Sequence, residues 1–236
     1  PGEWMESIQV SKGTASVING YEALAGQINV EYKKPERSEK LFVNGFVNSD
    51  LRTEINVNGS VPVSDKLSTM VLAHYKNGSR ALDKNGDGFL DMPMIEQYNF
   101  LNRWNYSNDA YISQYGVKLI NETRQSGQLD FYQGETGAYQ IDIETERYEF
   151  FTKQAMVFNK KTGHSLAVQG SGSLHTQNSL YGNQVYSGTQ NNGYVNLIYQ
   201  NVLNNNTDHQ YSVGMSFMYD NYTESLDSLN FNRAET

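Results

Sequence analysis

The stretch HQYSVGMSFMY at residues 209–219 decides the fold class of this chain. Large side chains occupy every second position, and Gln210, Ser212, Gly214 and Ser216 lie between them. The large set is His209, Tyr211, Val213, Met215, Phe217 and Tyr219. In a β-strand, residues two apart share a face, whereas a helix would distribute them around its circumference. The stretch therefore predicts a strand with one apolar face and one polar face.

The same two-residue period recurs from Lys40 onward and is clearest at residues 53–61, 67–75 and 164–174. It predicts an all-β, antiparallel fold. We expect nine strands, near residues 40–48, 53–60, 66–77, 96–106, 110–121, 146–159, 164–174, 193–203 and 208–220.

The connections between these strands alternate in predicted length. Short connections are expected at 61–65, 107–109, 160–163 and 204–207, and long ones at 78–95, 122–145, 175–192 and from 221 onward. Tight turns at one end and long loops at the other are typical of outer-membrane β-barrels. Aromatic residues near the strand ends, such as Trp104, Tyr106 and Tyr219, suit the interfacial girdles of such barrels. The pattern predicts a transmembrane antiparallel β-barrel.

The composition agrees with this interpretation and excludes several classes. The 236 residues carry 18 Lys plus Arg against 26 Asp plus Glu, a net charge of −8, so we expect no nucleic-acid partner. There is no cysteine, which excludes disulfides and thiolate chemistry. No apolar run approaches the ~18 residues of a transmembrane helix. Because nine strands cannot close a bacterial barrel, in which strand numbers are even, we expect this chain to be a partial barrel.

The first 35 residues follow a different pattern. They contain Gly13, Gly20 and Gly26 and no long alternating segment. Short strands are predicted at 5–11 and 26–33, with a turn at Lys12-Gly13. We therefore predict two parts: a compact unit at 1–35, and barrel strands at 36–236.

Residues 6–35, ESIQVSKGTASVINGYEALAGQINVEYKKP, resemble the end of the plug domain of TonB-dependent outer-membrane receptors. The matching positions are Glu6, Ile8, Val10, Lys12, Gly13, Ser16, Gly20, Gly26, Ile28, Asn29 and Val30. The resemblance implies that residues 1–35 are the C-terminal part of a plug, and that residues 36–236 are the first strands of a barrel of about 22 strands.

The resemblance also implies a function. It predicts a receptor in the outer membrane of a Gram-negative bacterium that imports a scarce nutrient with energy coupled through TonB. The nutrient could be a siderophore, haem, cobalamin, a metal or an oligomer. The implied partners are the TonB complex of the inner membrane, outer-membrane lipids, the imported ligand and a surface lipoprotein. Plug-apex contacts to the ligand would come from Asn19, Gly20, Tyr21 and Glu22.

A calcium site is predicted in the 78–95 connection. Asp83, Asn85, Asp87 and Asp91 hold oxygen-bearing side chains at positions 1, 3, 5 and 9 of an EF-hand-like loop, with Gly88 at position 6. Phe89 would supply its main-chain carbonyl at position 7, whereas Met94 stands where a Glu is usual at position 12. No helical pattern flanks the loop, so we expect calcium as a structural cofactor that stiffens an external loop.

Catalytic motifs are missing from the sequence. No G-x-S-x-G, HExxH or phosphate-binding glycine loop occurs, and the four histidines are far apart. We therefore expect no enzymatic activity. The alternative to the receptor is a soluble or surface β-sandwich that binds carbohydrate through tyrosine-rich loops; a barrel enzyme would need a Ser/His/Asp cluster, which we do not find. A copper importer using methionine pairs such as Met92 and Met94 is a further alternative.

Overall fold

The computed structural model describes residues 1–13, 25–135 and 137–235. It is 71% strand and 5% helix, and its sheets are antiparallel, which confirms the prediction of an all-β fold. Strands β1 (Met5–Lys12) and β2 (Gly26–Tyr32) form a two-stranded sheet in which Val10 lies opposite Ile28. The predicted plug-apex residues Asn19, Gly20, Tyr21 and Glu22 lie outside the described residues.

The remaining ten strands form one sheet in which each strand pairs with its neighbours along the chain. Their bounds are β3 Leu41–Val47, β4 Thr53–Pro62, β5 Leu67–Gly78, β6 Met94–Ser107, β7 Tyr111–Gly127, β8 Gln140–Asn159, β9 His164–Tyr181, β10 Gln184–Val202, β11 Gln210–Leu226 and β12 Leu229–Glu235. Every one of the nine predicted strands has a counterpart in this sheet, and β12 is an additional strand. Within the described residues β3 and β12 are open edges, so the sheet is not closed.

Helices are few and short among the described residues. One α-helical turn, α1 (Leu129–Tyr132), follows β7, and 3₁₀ turns occupy Gly2–Trp4, Pro35–Arg37 and Leu203–Asn205. No helix in the described part of the chain is long and apolar enough to cross a membrane.

The predicted sorting of connections by length is correct for the long connections at 79–93 and 128–139 and wrong for the two that follow at the same end of the sheet. The strands continue through half of 122–145 and most of 175–192, and two-residue turns at 182–183 and 227–228 stand where long loops were predicted. These turns lie at the same end of the sheet as the long 79–93 connection. The extensions carry polar residues on both faces or reverse the phase of alternation, so they lack the hydrophobic period by which a strand is recognised, although the backbone ladder persists.

We call the end of the sheet that carries connections 48–52, 79–93, 128–139, 182–183 and 227–228 the loop end, and the opposite end the turn end. At the loop end, two hairpin tips are joined by a reciprocal contact. The main-chain N–H of Val185 donates to a carboxylate oxygen of Asp227, and the N–H of Asp227 donates to the carbonyl of Val185, both at 2.8 Å. The β9–β10 and β11–β12 hairpins are therefore tied together at their tips.

The register of the sheet is staggered. A row of directly paired residues crosses β4 to β8 through Asn58, Leu72, Leu101, Lys118 and Glu149. Beyond this row the strands run progressively further to the turn end, through residues 59–62 of β4, 67–71 of β5, 102–107 of β6, 111–117 of β7 and 150–159 of β8. The strands are consequently inclined to the line that joins the turns.

Candidate functional site

The two faces of the ten-stranded sheet have opposite chemistry, and the apolar one is exposed. Ile55 is 43% exposed and Val57 39%, whereas the intervening Asn56 is only 3% exposed. Near the other edge of the sheet, in β11, Met215 on the same face is 72% exposed. We call the side that carries Val57 and Met215 the apolar face, and the opposite side the polar face.

The apolar face carries a band of limited height. In most strands the band spans nine to eleven residues: it covers 55–61 in β4, 67–75 in β5, 98–106 in β6, 111–119 in β7, 148–158 in β8, 166–174 in β9, 195–199 in β10 and 211–219 in β11. Nearer the loop end, the same face becomes polar, with Glu146 in β8, Asn178 in β9 and Thr223 in β11. A stretch of nine residues at ~3.3 Å each, tilted by ~40°, is roughly 23 Å high.

Aromatic rings mark both limits of this band. At the turn end, Trp104 stacks on Tyr115 with ring centroids 6.4 Å apart, and Tyr106 contacts Tyr111 at 6.1 Å. The row continues with contacts among Phe158, His164, Tyr199 and Tyr211. Towards the loop end, Tyr75 and Tyr98 contact each other at 4.9 Å.

Polar side chains within the band bond to one another. Asn102 donates to the hydroxyl of Thr69 at 3.2 Å, and Trp104 Nε1 donates to Asn102 at 2.8 Å. In the same way Gln154 donates to Thr152 at 2.6 Å. Because these groups are satisfied within the face, they do not require water.

The N-terminal segment packs on the polar face of β4–β6. The fully buried Trp4 contacts a small core of Met70, Leu72 and Leu101, with Tyr32 and Phe151 at its edge. Polar contacts hold the segment in place: Ser60 donates to the carbonyl of Pro35 at 2.6 Å, and Asn105 donates to Glu36 at 2.9 Å.

Arg103 holds this segment through two hydrogen bonds. Its guanidinium Nη1 donates to the carbonyls of Tyr32 and Lys33 at 3.2 and 3.0 Å, and the side chain is only 6% exposed. A charged donor in a buried position makes stronger hydrogen bonds than a neutral one. The sequence analysis did not identify Arg103, since nothing in its neighbourhood along the chain marks it as a contact to residues 32 and 33.

The predicted calcium loop is stabilised by its own side chains. The two carboxylate oxygens of Asp83 accept from the N–H groups of Gly86 at 2.7 Å and Gly88 at 2.8 Å. Asp87 accepts from the N–H of Phe89 at 2.9 Å, and Asp91 accepts from that of Lys84 at 2.8 Å. Asn85 bonds to Asp87. These contacts produce a tight loop, with Gly86 and Gly88 at positive φ of 75° and 84°.

The carboxylates of this loop do not converge on one point. Among the residues that the structure describes, no group of three or more His, Cys, Asp or Glu side chains is arranged to hold a metal ion. Calcium binding would therefore require Asp83, Asp87 and Asp91 to exchange main-chain N–H partners for the cation, with Asn85 and the carbonyl of Phe89 completing the set.

A second polar cluster, which the sequence analysis did not single out, lies on the polar face near the loop end. The register places its members in three adjacent rows across β9, β10 and β11, namely Ser173–Asn192–Asp220, His175–Gln190–Tyr222 and Gln177–Gly188–Glu224. We call these nine residues the inner patch. One sequence feature could have pointed to this region: residues 162–232 contain no Lys or Arg.

Comparison of the chain with models of protein families, with curated proteins and with solved structures finds no match.

Proposed function

We propose that this chain is part of a TonB-dependent outer-membrane receptor, with residues 1–35 as the end of the plug and 36–236 as the first strands of the barrel. It would import a scarce nutrient across the outer membrane of a Gram-negative bacterium, with energy from the TonB complex. The proposed role is transport and not catalysis.

One observation carries this proposal: the sheet exposes its apolar face and buries polar side chains on the other. In water each Å² of exposed apolar surface costs about 25 cal/mol, so such a face is unfavourable in a soluble protein. In a bilayer the same face contacts hydrocarbon at no such cost. The exposures of Met215 and Ile55, set against that of Asn56, fit a wall between lipid and an aqueous lumen.

The dimensions of the apolar band support the same conclusion. A transmembrane β-strand needs about 9–11 residues when it is tilted by about 45°, and most of the band has this length. The aromatic rows at its limits suit the two membrane–water interfaces. The staggered register is expected of a barrel, whose strands tilt against its axis.

The open edges β3 and β12 imply further strands. In hydrocarbon each unpaired N–H or C=O costs several kcal/mol, so an open edge is unstable in a bilayer. Under the proposal these edges pair with the rest of the barrel wall.

The N-terminal segment supports the plug assignment through its position. It lies on the polar face, where Arg103 and Ser60 hold it. A plug must occupy the lumen, and the polar face is the lumen side in this proposal. The plug apex at Asn19, Gly20, Tyr21 and Glu22 is proposed to contact the imported ligand, and a surface lipoprotein would bind at the loop end.

We also propose that the 83–91 loop binds calcium through Asp83, Asn85, Asp87, Phe89 and Asp91. Calcium would replace hydrogen bonds within the loop and stiffen the 79–93 connection. Lys84 already ties this connection to the turn of the first hairpin through a 2.6 Å ion pair with Asp50.

The alternative, a β-sandwich that binds carbohydrate, requires a second sheet to cover the apolar face. The described residues provide only the two-stranded sheet β1–β2 beside the main sheet, and this small sheet belongs to the segment that lies on the polar face.

The two tryptophans allow a direct test. Trp104 lies on the apolar face, whereas Trp4 is buried against the polar face. After refolding into vesicles that contain brominated lipid, a Trp4→Phe variant, which reports on Trp104, should be strongly quenched. A Trp104→Phe variant, which reports on Trp4, should be quenched little. Equal quenching of the two, or a folded, monodisperse chain in buffer without detergent, would contradict the proposal and favour the sandwich.

A further inference from the structure

We infer that the inner patch binds a neutral oligosaccharide. This inference rests on the proposed function, since it takes the polar face to line a water-filled lumen, and it names the class of ligand that passes there.

The charge of this part of the sheet disfavours an anionic ligand. Residues 162–232 have no Lys or Arg and include Asp208, Asp220, Glu224 and Asp227. The nearest cations on the polar face, Arg147 in β8 and Arg233 in β12, are each paired with a carboxylate, Glu149 and Glu235 respectively. A phosphate or carboxylate ligand would meet two unneutralised carboxylates of the inner patch and no free cation of β9–β11.

The hydrogen-bonding groups of the inner patch are oriented by one another. The carboxylate of Asp220, 9% exposed, accepts from the amides of Gln190 at 3.0 Å and Asn192 at 2.9 Å. Gln190 also donates to the hydroxyl of Tyr222 at 2.7 Å. Fixed carboxylate, amide and phenol groups provide adjacent donors and acceptors, which match vicinal hydroxyl groups because each hydroxyl both donates and accepts.

His175 contributes an unused polar atom. Its side chain lies between Arg147 and Gln190 in the sheet register. Its Nδ1 is buried and has no hydrogen-bond partner among the described residues. Because this atom is shielded from solvent, a ligand hydroxyl would reach it only if the His175 ring turned towards the patch, where the nitrogen could donate or accept according to the tautomer.

An aromatic ring completes the surface at the loop end of the inner patch. The side chain of Tyr186 lies across Gly188, where an added Cβ would be 2.5 Å from the tyrosine oxygen. Its hydroxyl donates to Glu224 at 2.7 Å, and this bond, formed above the apolar band, raises the pKa of Tyr186 to about 12. The ring is thus held over the strand in protonated form, where it can cover the apolar face of a sugar ring.

The test uses the chain refolded into lipid vesicles, with insertion verified by the quenching of Trp104. An array of neutral and uronate-containing oligosaccharides identifies the ligands, and calorimetry compares a neutral ligand with its uronate counterpart of the same length. We expect binding of a neutral oligosaccharide, at least tenfold weaker binding of the uronate form, and at least tenfold weaker binding of the neutral form by Gln190→Ala. The control Ser187→Ala, on the apolar-face side of the same strand, should bind like the parent chain.

An inserted chain that binds no neutral oligosaccharide, that prefers the uronate form, or that binds the polyamine spermidine instead would overturn the inference and leave the proposed function standing. Equal affinities of Gln190→Ala and the parent chain would also overturn it. An inserted chain in which brominated lipid does not quench Trp104 would contradict both.

Discussion

Arg103, on the polar face of β6, donates a 3.2 Å hydrogen bond from its guanidinium to the main-chain carbonyl of Tyr32, the last residue of β2. The two residues are 71 positions apart in the chain. This contact joins the small N-terminal sheet to the ten-stranded sheet. Its removal should therefore loosen the N-terminal segment.

We therefore expect Arg103→Met to destabilise the attachment of this segment by about 2 kcal/mol, the order expected for buried hydrogen bonds to a charged group. The measurement is the urea midpoint reported by Trp4 fluorescence in a Trp104→Phe background. Arg80→Met is the control, because Arg80 is exposed and makes no hydrogen bond or ion pair to any described residue. Similar midpoints for the two variants would show that Arg103 does not hold the segment.

The apolar band predicts how a charged substitution changes the stability of the ten-stranded sheet. Met215 lies midway between the aromatic residues Tyr211 and Tyr219 on the apolar face of β11. Met215→Arg should destabilise the chain refolded in vesicles by about 2–4 kcal/mol, the cost of Arg at the bilayer midplane on a lipid-facing position. The readout is the free energy of unfolding in denaturant. Ser216→Arg places the same charge on the polar face, and it should cost far less. If both variants lose the same stability, the apolar face does not contact lipid.

Calcium should stabilise the 79–93 connection if the 83–91 loop binds it. At a calcium concentration of 100 times Kd the stabilisation is about 2.7 kcal/mol. We expect a higher melting temperature in calcium than in chelator for the parent chain, and no such difference for a variant with both Asp83→Ala and Asp87→Ala. Asp65→Asn, in the turn after β4, is the control for the loss of one carboxylate charge outside the loop. A calcium effect that survives in the double variant would disprove the site.

The turn end contains a pH-sensitive ion pair. Lys160 donates a 2.7 Å hydrogen bond to the carboxylate of Asp109, and this contact lowers the pKa of Asp109. Because the pKa is depressed in the folded state, the contribution to stability is present above the unfolded pKa and is lost as the pH falls through the folded pKa. Both groups are exposed, so the effect on stability is small.

Lys160→Met should raise the pKa of Asp109 in a carboxyl NMR titration, whereas Lys161→Met, which removes the adjacent charge, should change it much less. An unchanged pKa of Asp109 in Lys160→Met would mean that the ion pair does not form in solution.

The sequence was sufficient to predict strands wherever one face is apolar. The 209–219 stretch illustrates this, because its alternation is uninterrupted from His209 to Phe217 and β11 covers it from Gln210 onward. The β8 extension was missed because Ile141 and Ile143 lie on the polar face, so that the phase of alternation reverses above the band. β12 was missed because its segment is short and mainly polar.

Contacts between distant segments were not predictable in the same way. The bonds from Asp83 to Gly86 and Gly88 depend on local spacing, which the sequence displays. The bond from Arg103 to Tyr32 depends on how the N-terminal sheet lies on the wall, and no local pattern encodes that position. The rows of the inner patch likewise required the register of three strands.

The paired N–H contacts between Val185 and Asp227 have a mechanical consequence. The two bonds continue the β10–β11 ladder past its last pair, Tyr186 with Leu226, so the two hairpins are joined along the strands and also at their tips. The four strands of these hairpins should therefore move as one rigid unit, so that movement at the loop end is concentrated in the 79–93 and 128–139 connections.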